Sequence, residues 1–88
     1  MKKHADFLIR QVGQRFVVVP VGEAADRFSG MITINDTGKF LWDLLETEQT
    51  EESLAKALTE EYDVDFDTAL RDVKVFLEPI VKVGAITE

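Results

Sequence analysis

The first third of the chain contains short apolar segments whose composition is typical of β-strands. Residues 7–12 and residues 15–19 are two such segments, and both are rich in β-branched and aromatic side chains. Gly13 and Gln14 between them are the Gly-X pair of a two-residue hairpin turn. Pro20 lacks a backbone N–H and therefore belongs at the end of the second strand or on an edge. The pattern predicts a β-hairpin.

A third strand is predicted after an irregular stretch. Residues 22–30 have glycine at both ends and no clear period, so we expect a loop there. Residues 31–34 form a short strand whose alternation places Ile32 and Ile34 on one face and Met31 and Thr33 on the other.

The apolar period changes after Asn35 from two to about 3.6, which predicts a helix. Asp36 or Thr37 can cap its start, and the pattern ends near Glu46. The apolar stripe of this helix consists of Phe40, Leu41, Leu44 and Leu45. Trp42 lies to the side of the stripe, and we interpret it as covering one end of the core, the alternative being an anchor for a partner.

Two further helices are predicted in the second half of the chain. Thr50 caps the first of them, whose core face consists of Leu54, Ala55, Leu58 and Tyr62. Asp65 or Asp67 opens the last helix, which ends at Gly84 before a short extended tail at residues 85–87. The core face of the last helix consists of Phe66, Ala69, Leu70, Val73, Phe76, Leu77, Ile80 and Val81.

The last helix carries a second stripe, away from its core face. At 100° per residue, Thr68, Asp72, Val75 and Pro79 fall on one line. Pro79 also removes a backbone N–H opposite the carbonyl of Val75, which is expected to kink or loosen the helix. Val75 and Pro79 either pack on another element of the same domain or line a groove beside the third strand, and the pattern alone leaves both open.

The size and the order of the elements predict one small α+β domain over residues 1–88. Three strands in an antiparallel sheet are followed by a three-helix bundle, a winged-helix-like order. The chain of 88 residues has no cysteine for a disulfide and no His/Cys cluster for zinc, so its stability depends on a well-packed core.

Charge and hydropathy restrict the partners and the location. The 17 acidic side chains outnumber the 10 basic ones, for a formal net charge of −7, which disfavours DNA, RNA and anionic lipid. The apolar run at residues 17–21 is far shorter than the roughly 18 residues of a membrane span. No signal-peptide apolar region follows the N-terminal lysines, so we expect a cytoplasmic protein.

The sequence offers little for catalysis. It lacks a Cys nucleophile, a Gly-rich phosphate loop and a metal-ligand spacing, so we expect no cofactor and no metal. His4 lies in a polar N-terminal segment that is expected to be mobile, and the Glu51/Glu52 and Glu60/Glu61 pairs belong to a solvated helix face. We therefore expect that the chain is not an enzyme.

The order and spacing of several short motifs resemble the PqqD family, the pyrroloquinoline quinone biosynthesis protein D group. The resemblance covers residues 31–87 and is weak before them. Its longest motif is the run Ile32-Thr33-Ile34-Asn35-Asp36-Thr37-Gly38-Lys39-Phe40-Leu41-Trp42-Asp43-Leu44-Leu45. The shorter motifs are Thr50-Glu51-Glu52-Ser53-Leu54, Glu61-Tyr62-Asp63-Val64, Asp72-Val73 with Phe76-Leu77, and Gly84-Ala85-Ile86.

The resemblance implies a winged-helix-like, non-catalytic chaperone for a ribosomally made precursor peptide. Such a domain binds the leader segment as an added strand and presents the peptide to a modifying enzyme, often a radical S-adenosylmethionine (SAM) protein. The residues implied as the peptide-binding edge are Met31, Ile32, Thr33 and Ile34. The residues implied as the groove are Thr68, Arg71, Asp72, Val75, Phe76 and Pro79. An unpaired third strand also predicts some homodimer, formed by edge pairing or strand exchange.

Two other functions fit the order of the elements. A winged-helix DNA-binding regulator would place the last helix in the major groove, where the four acidic residues between positions 65 and 82 outnumber the three basic ones. A structural subunit of a larger complex would bind no peptide at all.

Overall fold

A computed structural model of the chain describes residues 1–27 and 31–87. The strands of this part are β1 (Lys2–Lys3), β2 (Phe7–Val12), β3 (Arg15–Pro20), β4 (Ile32–Ile34) and β5 (Ile86–Thr87). Its helices are α1 (Glu23–Arg27), α2 (Asp36–Leu44), α3 (Glu51–Glu61) and α4 (Phe66–Lys82). The α+β class and the antiparallel three-stranded sheet are confirmed.

The sheet has the order β2-β3-β4, with both pairs of strands antiparallel. The predicted hairpin is confirmed, and Pro20 is the last residue of β3. Phe16 pairs with Ile34 and Val18 pairs with Ile32, so apolar side chains of β3 and β4 share the face that packs on the core. Because β4 is the last strand in this order, one of its edges is open in the described part of the chain.

The predicted loop before β4 is wrong at its start. Residues 23–27 form the short helix α1, and Ala24 packs into the core. A five-residue helix with a single buried side chain gives no visible 3.6-residue period, which is why the sequence pattern missed it. Residues 28–30 of the predicted loop lie outside the described residues.

The N-terminal segment is held in place, contrary to the expectation that it is mobile. β1 pairs antiparallel with β5, which confirms the predicted extended tail. The Lys3 N–H donates to the carbonyl of Leu45 at 2.9 Å, and the His4 N–H donates to the carbonyl of Ala85 at 2.8 Å. His4 Nδ1 accepts a hydrogen bond from the Asp6 N–H at 2.9 Å. Backbone pairing of this kind leaves no side-chain pattern in the sequence.

Helix α2 is capped by Asn35, so the prediction of Asp36 or Thr37 as the cap is wrong. The Asn35 side-chain oxygen accepts from the Gly38 N–H at 2.9 Å, as an N-cap residue does. The helix ends at Leu44, two residues before the predicted end. Trp42 is only 1% exposed, so the interpretation as a core residue is confirmed and the partner-anchor alternative is excluded.

Helices α3 and α4 pack on each other and supply much of the core. Thr50 caps α3 through a reciprocal capping box with Ser53. Tyr62, predicted to lie on the core face, is instead 37% exposed because it is the extended residue that ends α3.

The predicted limits of α4 are confirmed. Asp65 caps its start, and its side chain accepts from the Thr68 N–H at 3.1 Å. At the other end, Gly84 has a φ of 83°, and the two hydrogen bonds of a Schellman motif form. The core prediction is too wide at both ends, because Phe66 and Val81 are exposed.

Candidate functional site

An open groove lies between the β4 edge and the exposed side of α4. It has a volume of about 370 Å³, and the start of α2 closes its floor. The residues that line it are Ile32, Thr33, Ile34, Asn35, Thr37, Gly38, Leu41, Asp72, Val75, Phe76 and Pro79.

Gly38 allows the three walls of the groove to approach each other. A Cβ atom at this position would lie 2.9 Å from the Ile34 Cβ and 3.3 Å from two ring atoms of Phe76. Real Cβ atoms do not tolerate the first of these distances. The hydrogen bond from Gly38 to the Asn35 side chain fixes the same turn of α2 against the end of β4. Hence this contact between α2, β4 and α4 requires a residue without a side chain.

The interior of the groove is mainly apolar. Ile32 and Phe76 are half-buried, and Ile34 and Leu41 are buried. Val75 is 65% exposed, which is unusual for a large aliphatic side chain beside a cavity and leaves its apolar surface open to a ligand. Asp72 is the one lining residue with an ionisable side chain.

The β4 edge supplies hydrogen-bonding groups of the main chain. In an antiparallel strand, alternate residues direct their N–H and C=O groups to opposite sides. Since β3 occupies one side of β4, the strands of the described residues leave the outward groups on the other side free to pair with a further strand. A strand-addition site consists of a free strand edge and of pockets beside it for alternate side chains of the peptide.

The groove includes seven of the ten residues that were predicted as the site. These are Ile32, Thr33, Ile34, Asp72, Val75, Phe76 and Pro79. Met31 is 68% exposed beside the start of β4, and neither it nor Thr68 nor Arg71 lines the cavity. Arg71 is exposed on α4.

Four lining residues were missed by the sequence analysis: Asn35, Thr37, Gly38 and Leu41. A signal for two of them was present. Asn35 is a favourable N-cap residue, and Gly38 three residues later leaves the first turn of the helix without a bulky side chain. Such a turn is expected where another element packs closely against the start of the helix. Leu41 was assigned to the core stripe, and it is fully buried as well as lining the groove.

The carboxyl groups with shifted pKa values lie outside the groove. Hydrogen bonds from the side chain and backbone of Thr68 hold the pKa of the Asp65 carboxyl below its usual value. A hydrogen bond from Lys3, and the charge of Lys3, lower the pKa of the Glu46 carboxyl, which lies 2.7 Å from the ammonium group. Both are structural interactions on exposed carboxylates.

The described residues contain neither a group of three or more acidic or histidine side chains that could hold a metal nor a helix that could cross a membrane.

Comparison with known proteins gives matches to solved structures and to a family model. No curated protein matches the sequence. The fold is similar to that of TbiB1 in complex with the TbiA(beta) leader peptide, with 22% identity, a TM-score of 0.73, and coverage of 97% of this chain and 93% of that one. It is also similar to lasso peptide synthetase B1 complexed with the leader peptide, with 18% identity, a TM-score of 0.73, and coverage of 99% and 96%.

The family model for coenzyme PQQ synthesis protein D matches residues 15–86, which include β3, β4, all three long helices and every residue that lines the groove. All the motifs that resemble this family in the sequence fall within the matched range. The chain belongs to the PqqD family.

Proposed function

We propose that this chain binds the leader segment of a ribosomally made precursor peptide and presents the peptide to a modifying enzyme. The observation that carries the proposal is the open edge of β4 beside an apolar groove of about 370 Å³. The leader adds to β4 as a strand, and its alternate side chains enter the groove toward α4.

The dimensions of the two walls support this arrangement. The three residues of β4 extend over about 10 Å at 3.3 Å per residue. Asp72 and Pro79, which line the groove at its two ends on α4, are seven residues apart and therefore about 10.5 Å apart along the helix axis. Both walls are therefore about as long as an added strand of three or four residues.

The structural neighbours support the same ligand class. TbiB1 and lasso peptide synthetase B1 share this fold over nearly their whole length, and both structures contain a leader peptide. A leader peptide is also a ligand that the groove at the β4 edge of this chain can accommodate.

A binding role without catalysis fits the residues of the groove. Thr33 and Thr37 are its hydroxyl groups, and the groove has no histidine or lysine that could activate them. A lone carboxylate, that of Asp72, is not a paired acid and base. We infer that the chemistry belongs to the partner enzyme, for which the family resemblance favours a radical SAM protein.

The free β4 edge also supports a homodimer formed by edge pairing or strand exchange. Such a dimer occupies the edge that the leader needs, so added leader should return it to monomer. Light scattering over a range of protein concentrations measures this. A strict monomer even at the highest concentration contradicts the dimer and leaves the peptide site untouched.

Amide hydrogen exchange of the full chain tests the added strand. The probes are synthetic peptides that correspond to the N-terminal halves of the short reading frames found next to the gene for this chain, and scrambled peptides of equal composition are the controls. The leader should slow exchange at the outward N–H groups of β4. The outer edge of β2, which is the other edge of the same sheet, should not change. Unchanged exchange at β4, or equal protection of both edges, contradicts strand addition.

A further inference from the structure

The groove contains an isolated negative charge. Asp72 is the ionisable residue among those that line it, and within residues 1–27 and 31–87 its side chain makes neither a hydrogen bond nor an ion pair. Its side chain is exposed, so its carboxylate is available at the mouth of the groove. A charge at a mainly apolar contact surface requires an opposite charge when a ligand displaces its water.

The helix that carries Asp72 does not neutralise it. The residues three and four positions away on α4 are Thr68, Ala69, Val75 and Phe76, and none of them is charged. Arg71 and Lys74 are one and two positions away, and side chains at these spacings do not face each other on a helix.

The elements across the groove do not neutralise Asp72 either. Lys39 is the basic residue of α2, and its ammonium group is paired with Asp43, one turn along the same helix. The same ammonium lies 5.7 Å from the centre of the Phe16 ring. β4 and the Asn35 cap contain no basic residue.

We infer that Asp72 selects leader segments that carry a lysine or arginine, an inference that rests on the proposed function. The basic side chain extends from the added strand to the carboxylate of Asp72, while its neighbour on the same face of the strand packs on Val75 and Phe76. Asp72 is thus a specificity-determining residue within a groove whose other contacts are apolar or made by the backbone.

The geometry also fixes the spacing of the selected residues. Val75 and Phe76 lie three and four residues from Asp72, about 4.5–6 Å along the helix axis. Strand residues on one face are two positions apart, about 6.6 Å. The basic residue therefore lies two positions from an apolar residue, in the order basic-x-apolar or apolar-x-basic according to the direction of the added strand.

Selection from a displayed library of random linear peptides tests the inference. The targets are the wild-type chain, Asp72→Asn, Asp72→Lys, and the control Asp67→Asn, which removes the same charge from an exposed position of α4 outside the groove. Wild type and Asp67→Asn should enrich a basic residue two positions from an apolar one. Asp72→Asn should keep the apolar preference alone, and Asp72→Lys should select an acidic residue instead.

A synthetic peptide from the wild-type selection provides the affinity. Its binding to Asp72→Asn should be about fivefold weaker than to wild type, as for a partly exposed ion pair, and the difference should shrink in high salt. Basic residues that persist in the Asp72→Asn pool would mean attraction to the net charge of −7, and would overturn the inference.

The outcomes separate this inference from the proposed function. A wild-type pool with apolar preferences but no basic residue overturns the role of Asp72 and leaves the peptide groove intact. If Val75→Asp also binds the peptides selected by wild type, a carboxylate on the groove wall has no effect. That result contradicts peptide binding in the groove. Circular dichroism of each variant excludes loss of the fold as the cause.

Discussion

Gly38 provides a sensitive test of how the groove is built. It lies in the first turn of α2, where its missing side chain permits contact with Ile34 on β4 and with Phe76 on α4. Gly38→Ala introduces one methyl group at this point. By helix propensity alone the change should stabilise the domain, because alanine is favoured over glycine in a helix by about 1 kcal/mol.

The distances around Gly38 predict instead that Gly38→Ala destabilises the domain. The new Cβ would lie 2.9 Å from the Ile34 Cβ, an atom fixed to the backbone of a β-strand, so β4 or α2 has to move. It would lie 3.3 Å from two atoms of the Phe76 ring, which can shift by a few tenths of an ångström. Overpacking of this kind costs about 1–3 kcal/mol. After subtraction of the helix gain, we expect a net destabilisation of up to about 2 kcal/mol.

Thermal unfolding followed by circular dichroism measures the effect. For a domain of this size, 1 kcal/mol corresponds to about 4–8 °C in Tm, so Gly38→Ala should lower the Tm by several degrees. In a Phe76→Leu background the same change should cost less, because part of the crowding is removed. An unchanged or higher Tm for Gly38→Ala would refute the account of the groove floor.

Three further predictions concern acid stability, the helix proline and DNA. The pKa of the Asp65 carboxyl is lower in the folded state than its ordinary value of about 4, so its charged form stabilises the fold above about pH 4. This stabilisation is lost as the pH falls through the lower pKa of the folded state. Asp65→Asn keeps an oxygen to cap α4 but cannot titrate, so its Tm should fall less steeply than that of wild type below about pH 4; equal slopes would contradict this. Pro79→Ala restores an N–H opposite the carbonyl of Val75, and because proline costs about 3 kcal/mol inside a helix, against up to about 1 kcal/mol of unfolded-state entropy, the Tm should rise. A lower Tm would contradict the prediction that Pro79 destabilises α4. Finally, the chain should not retain duplex DNA at moderate salt in a gel-shift assay, and micromolar binding with a steep salt dependence would support a DNA-binding function instead.

The sequence was sufficient for elements that local chemistry specifies. The central part of the apolar stripe of α4, the caps at Thr50 and Asp65 and the stop at Gly84 each depend on residues within one or two turns, and each is confirmed. The second stripe of α4 was visible in the same way. Together with the family resemblance, it led to a groove whose lining includes Val75.

The features that the sequence did not reveal depend on contacts between distant residues. Asn35, Asp36 and Thr37 are all suitable caps, and only the extended backbone of Asn35, with φ −90° and ψ −174°, identifies the one that is used. A glycine within a helix usually marks a weak point, and the role of Gly38 appears only when Phe76 of α4 lies against it. The pairing of β1 with β5 joins the two ends of the chain through backbone groups, which no pattern of side chains records.

The central claim is that the leader segment occupies the groove between β4 and α4. The most direct test is calorimetric titration of the leader peptide that slows exchange at β4 into wild type and into Val75→Asp. Val75 lies off the core face, so the fold should persist, as circular dichroism can verify. Val81→Asp is the matched control, because Val81 is an exposed valine of the same helix outside the groove.

An unpaired carboxylate under an apolar side chain of the leader costs about 1 kcal/mol at the rim and several kcal/mol in a dry contact. Each 1.4 kcal/mol is a factor of ten in Kd. We therefore predict that Val75→Asp binds the leader at least about fivefold more weakly than wild type and that Val81→Asp binds it as wild type does. Equal affinities for all three proteins would contradict the placement of the leader in this groove.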